Sequence, residues 1–211
     1  MFITLPDFDL VTSYASAWSA EVIDIAERNG MKITAINGRN VTKSSIETNI
    51  KSKNPKFLSF VGHGSDTVIC GHDNEPLIVL GENESLLASK IVHAFTCSSA
   101  ARLGKECNSS AFIGYGDLFW LYMDRNRTAK PLEDELARPF MESAIEAPRQ
   151  LAKKKTAGEA FAESQRKYQK WIDELTLSSS KHTAEELQVI LPLLHFNKNC
   201  QMLHGNPHAR V

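Results

Sequence analysis

The sequence predicts an α/β protein built on a mostly parallel six-stranded sheet with helices on both faces. Three observations predict it. The runs Phe57–Val61, Lys90–Phe95 and Ser110–Tyr115 are nearly continuous in apolar residues and stop at small or polar ones, as strands covered on both faces do. Segments of helical spacing alternate with these runs, the order that builds parallel sheets. From Pro131 onward the chain turns to long amphipathic helices, which supply further cover.

Each element follows from its local pattern. Residues 1–5 form a short strand. Leu10 to Arg28 makes a helix with Tyr14, Trp18, Val22, Ile25 and Ala26 at helical spacing, closed by Asn29 and Gly30. Lys32–Ile36 alternates as strand two, and Asn37 and Gly38 end it. Thr42–Lys53 is a second helix with a Ser44/Glu47 capping box, broken by Asn54 and Pro55. Thr67–Cys70 and Leu77–Leu80 flank a polar hairpin turn, and Glu84–Ser89 is a short helix. Ser98–Glu106 is expected as a helix directly after Cys97. Leu132, Leu136, Phe140 and Ala144 share one face of the helix opened by Pro131. Thr156/Glu159 and Thr183/Glu186 are capping boxes opening two more helices.

Bulk properties narrow the function. The 211 residues fit one domain, read as 1–211 without a linker or repeat. A hydrophobic content of 42% beside 23% charged residues is that of a globular protein. The net charge of −1 gives no general attraction to nucleic acid or to an anionic membrane, so neither is expected as a partner. Lys153, Lys154 and Lys155 sit among alternating charges and read as a solvated helix face. No apolar run is long enough to span a bilayer, and no signal peptide pattern opens the chain. Cys70, Cys97, Cys107 and Cys200 form no C-x-x-C pair and no disulfide framework. A cytoplasmic setting with free thiols is expected.

Two of the buried runs stop at reactive groups. Phe57–Val61 leads to His63 between Gly62 and Gly64, and Lys90–Phe95 leads to Cys97. Ligands of open α/β sheets bind outside the strand C-termini, so the pair reads as a cysteine nucleophile, Cys97, served by a histidine base, His63. A thiol attacks as thiolate, and a helix start after Cys97 would supply N–H groups and a positive dipole end. The flanking glycines turn the chain and leave the imidazole uncovered, while the Gly64 N–H suits an oxyanion. Taken alone, Cys97 reads more readily as a small buried hydrophobe; it is the pairing with His63 that favours chemistry. Asp117 follows the next strand and either favours a basic substrate side chain or caps a turn beside Gly116. Trp120 and Tyr122 are expected in the core rather than in a subsite. A zinc site from His63, His72, Asp73 and His93 is the competing reading; because the spacing does not make these side chains converge, no metal or cofactor is assigned.

The order His63, Gly64, then a cysteine ending the next main strand resembles the caspase–hemoglobinase clan of cysteine peptidases. The run Ser110–Asp117 is similar to the strand that follows the cysteine in gingipain-like and CHAT-type members. The tail around Leu203, Gly205, Asn206 and Pro207 resembles the ending of the same group. The chain departs from the caspase pentapeptide, having Phe95, Thr96, Cys97, Ser98 and Ser99 instead, and Phe95 stands where clostripain-like enzymes place an acid. The resemblance implies a three-layer caspase-like fold and a cysteine endopeptidase working through a thioester acyl-enzyme. Catalytic roles would fall to His63 and Cys97, and the oxyanion to the N–H groups of Gly64 and Cys97. It also implies protein or peptide substrates, a regulatory protein partner and a role in bacterial immunity or cell death. The alternative is a catalytically silent binding module of the same fold.

Overall fold

The structure is a computed structural model, and it describes residues 1–177 and 182–211. The sheet-forming elements are β1 (Phe2–Leu5), β2 (Thr34–Asn37), β3 (Phe57–Val61), β6 (Ile91–Phe95), β7 (Ala111–Tyr115) and β8 (Gln201–Gly205), with a separate antiparallel hairpin of β4 (Val68–Cys70) and β5 (Pro76–Val79). The helices are α1 (Leu10–Arg28), α2 (Lys43–Lys53), α3 (Leu103–Glu106), α4 (Arg138–Ala144), α5 (Glu146–Ala152), α6 (Ala157–Leu177) and α7 (Ala184–Cys200). The main sheet runs in the order β2-β1-β3-β6-β7-β8, and only the β7–β8 pair is antiparallel. The expected α/β class and six-stranded, mostly parallel sheet are therefore present.

Alternate residues of the central strands feed two cores. Leu58 and Phe60 of β3, Val92 and Ala94 of β6, and Phe112 of β7 pack with α2, the hairpin and α3. Val61, Phe95 and Tyr115 point to the other face, against Tyr14, Trp18 and Val22 of α1 and Met141 of α4. Phe57, Ile91 and Ile113 meet α5 and α6 on that same side. Cover on both faces is why these strands read as nearly continuous apolar runs. Each fully buried large side chain contributes roughly 1.5–3 kcal/mol by leaving water.

Several expected elements differ in detail. Thr42, not Ser44, caps α2, its hydroxyl accepting the Ser45 N–H. The Thr156/Glu159 and Thr183/Glu186 boxes form as the pattern requires. The helix expected from Pro131 is interrupted: a 3₁₀ turn at Pro131–Glu133 gives way to α4 at Arg138. The cause is Asp134, a buried carboxylate that accepts the N–H groups of Asp124, Leu136 and Ala137 and the Tyr14 hydroxyl. Such a side chain gives the local backbone alternatives to helical hydrogen bonds. Among the described residues, no helix is long and apolar enough to cross a membrane.

His93 sits inside β6, opposite Ser59 of β3, and its Nδ1 lies 3.2 Å from the Ser59 hydroxyl. Burial pushes this imidazole down to about 3. Above pH ~6.5 neither folded nor unfolded chain protonates it; below that, the unfolded imidazole takes up a proton that the folded one refuses. Stability is thus lost as pH falls, by about 1.4 kcal/mol per pH unit from this group. Urea midpoints between pH 6.5 and 5, above the carboxylate range, are expected to fall in the wild type and to flatten in His93→Gln.

Candidate active site

The register of β3 and β6 fixes the geometry. Val61 pairs with Phe95 as the last couple of the ladder. His63 and Cys97 each lie two residues beyond this pair, at neighbouring strand ends, where adjacent strands are ~4.8 Å apart. Both side chains line one cavity of about 30 Å³.

Gly62 and Gly64 make the histidine turn possible. Gly62 adopts φ +147°, and a Cβ there would meet the Cys70 carbonyl at 2.6 Å. A Cβ on Gly64 would lie 2.8 Å from the Val68 carbonyl and 3.2 Å from the Cys97 carbonyl, so the absence of a side chain lets the two strand ends approach. Gly64 bridges Ile69 through the flanking bonds, from the Cys70 N–H to the His63 carbonyl and from the Ser65 N–H to the Val68 carbonyl. Among the described residues, neither the Gly64 nor the Cys97 N–H donates a hydrogen bond within the protein. These are the two donors named from the sequence as an oxyanion site.

The sequence did not point to Asp9. Its Oδ2 lies 2.6 Å from His63 Nε2, while its Oδ1 accepts the Thr12 N–H at 2.8 Å and caps α1. Burial opposes the charge on Asp9, but the hydrogen bonds from Thr12 and His63 outweigh it and hold the carboxyl below its ordinary value. With Nε2 engaged, Nδ1 is the ring nitrogen left to exchange a proton. Phe8 packs edge-on against His63, with ring centroids 5.9 Å apart.

The setting of Cys97 also differs from expectation. No helix begins there: Ser98 has φ +56°, its N–H is held by the Asp117 carbonyl, and α3 starts only at Leu103. A helix dipole is thus not aimed at the sulfur. Instead the Phe119 N–H points at Cys97 Sγ over 3.3 Å, which complements the negative charge of a thiolate. The other cysteines have different surroundings. Burial raises Cys70 and, with the Asp117 carboxylate nearby, pushes Cys200 up to about 12. Cys107 is buried beside the Gly104 carbonyl. All four are free thiols.

The remaining candidates are dispersed. Asp117 is exposed beyond β7, accepts the Leu118 N–H, and is not among the cavity-lining residues. Trp120 is 45% exposed rather than core, with its N–H and carbonyl both bound by the buried Asn197 side chain. His72 and Asp73 lie on the hairpin turn, and His93 is inside the sheet. Among the described residues, no group of three or more His, Cys, Asp or Glu is placed to hold a metal.

Fold and site together define an α/β protein with a histidine–cysteine pair at the C-terminal edge of a parallel sheet. No protein-family model and no curated protein matches the chain.

The Gly62→Ala variant combines a backbone conformation that is essentially glycine-only with a collision against the Cys70 carbonyl. It is expected to cost about 2 kcal/mol or more, read as a lowered urea midpoint.

Proposed function

We propose that the protein is a cysteine endopeptidase acting on protein or peptide substrates. The observation that carries the reading is that His63 and Cys97, each two residues past the Val61–Phe95 pair, line one cavity. Cys97 Sγ attacks the scissile carbonyl, and the oxyanion takes the Gly64 and Cys97 N–H groups. His63 Nδ1 takes the Cys97 thiol proton and delivers it to the leaving amine, giving a thioester; it then accepts a proton from the water that hydrolyses the thioester and returns it to the departing sulfur. Asp9 fixes the ring through Nε2 and offsets its charge when protonated.

Fluorescein-labelled casein provides a first assay. Cys97→Ala and His63→Ala are expected to abolish cleavage, whereas Asp9→Asn lowers kcat by on the order of 10²-fold. Cleavage that survives Cys97→Ala would remove the assignment. Iodoacetamide should alkylate Cys97 ahead of the other three thiols; equal reactivity of all four favours a binding module instead.

A further inference from the structure

Resting on the peptidase reading, we infer that the residue whose carbonyl Cys97 attacks carries a small aliphatic side chain, with alanine best, and that charged residues are excluded there. The cavity shared by His63 and Cys97 is walled by Val11 and Ala15 of α1, Phe95 at the end of β6, Phe119 and Leu121 of the following segment, and Met141 of α4. None of these side chains carries a charge or a hydrogen-bonding group. Of the polar side chains nearby, the Thr96 hydroxyl donates to Ser99, and both Asp9 carboxylate oxygens are taken by Thr12 and His63; the free His63 Nδ1 and the Gly64 and Cys97 N–H groups are those the acyl transfer itself would use. Asp117, the sequence-based candidate for attracting a basic side chain, is not part of the wall.

Size gives the second constraint. About 30 Å³ exceeds what one water needs by roughly two- to threefold, room for a methyl or a few carbons and not for an aromatic ring. A lysine, arginine or aspartate side chain entering this space would lose its hydration and find no charged or hydrogen-bonding partner on these apolar walls. A larger aliphatic chain would have to displace Met141 or Leu121, both packed into the core on this face.

The test uses the whole protein and a series of capped tripeptide acyloxymethyl ketones differing only in the residue next to the warhead: Ala, Val, Leu, Phe, Asp, Lys and Arg. Labelling of Cys97 is read by mass spectrometry as a second-order rate. The alanine probe is expected to react fastest, with Asp, Lys and Arg slower by about 100-fold or more. The Val11→Asp variant places a carboxylate in the wall at an exposed position in the first turn of α1, where an acid also suits the helix. It should raise the arginine-probe rate about 10-fold or more relative to the alanine probe. Fastest labelling of the wild type by the Asp, Lys, Arg or Phe probe overturns the specificity and leaves the peptidase standing. Failure of every probe to label Cys97 overturns both. An unchanged arginine-to-alanine ratio in Val11→Asp shows that the cavity does not receive the side chain, and also overturns the inference.

Discussion

The parallel pairing of β3 with β6 is the constraint on which the site depends. Side chains alternate along a strand, so a shift of one residue would turn both cores inside out. Leu58, Phe60, Val92 and Ala94 are committed to one face, and Val61 and Phe95 to the other. The Ser59–His93 contact, a polar pair in an apolar layer, marks the same register from within. A buried imidazole with a hydrogen-bonding neighbour tolerates few alternatives. The placement of His63 and Cys97 at adjacent strand ends is thus a consequence of core packing several residues below them.

The fold was legible where both sheet faces are covered, and less so at the edges. The bounds of β3 could be read directly, because a short, nearly continuous apolar run between Pro55 and Gly62 suits a strand buried on both faces and is too brief for a helix. The strand β8 was not, because Gln201–Gly205 is a partly exposed edge strand that follows α7 without a turn. The helix expected after Cys97 failed for a tertiary reason: the Ser98 N–H is captured by the Asp117 carbonyl of a neighbouring strand end. The helix at Pro131 has the right apolar spacing, but Asp134 redirects the backbone through contacts with Tyr14 and Asp124 that lie far away or in a loop.

At the site, His63 and Cys97 could be picked out because each closely follows a readable strand. Asp9 could not, because its partner is 54 residues away and its capping box uses Thr12 instead of the usual Glu or Gln. An aspartate before a helix ordinarily serves as a cap and nothing more, and here the cap uses only one of its two oxygens. The general signal is a short acidic loop after a strand adjacent to the histidine strand. In a parallel sheet that loop lands on the same edge, and β1 is indeed the neighbour of β3.

Asp9 also accounts for the defined shape of the apolar cavity. α1 is capped by the carboxylate that orients His63 and carries the Val11 and Ala15 walls in its first two turns. The helix is fixed against the segment that supplies the opposite wall: the Tyr14 hydroxyl donates to Asp134, and Trp18 Nε1 donates to the Pro131 carbonyl. That segment is fixed in turn by Asn197, which holds both backbone polar groups of Trp120, and by Asp134 accepting the Asp124 N–H. Phe119 and Leu121 flank the Trp120 anchor, and the Phe119 N–H reaches the Cys97 sulfur. Buried polar links of this kind resist rearrangement because breaking one leaves its partner unsatisfied. The positions of His63, Cys97 and the cavity wall are therefore set by one connected set of contacts, and a displacement of α1 would disturb all three together.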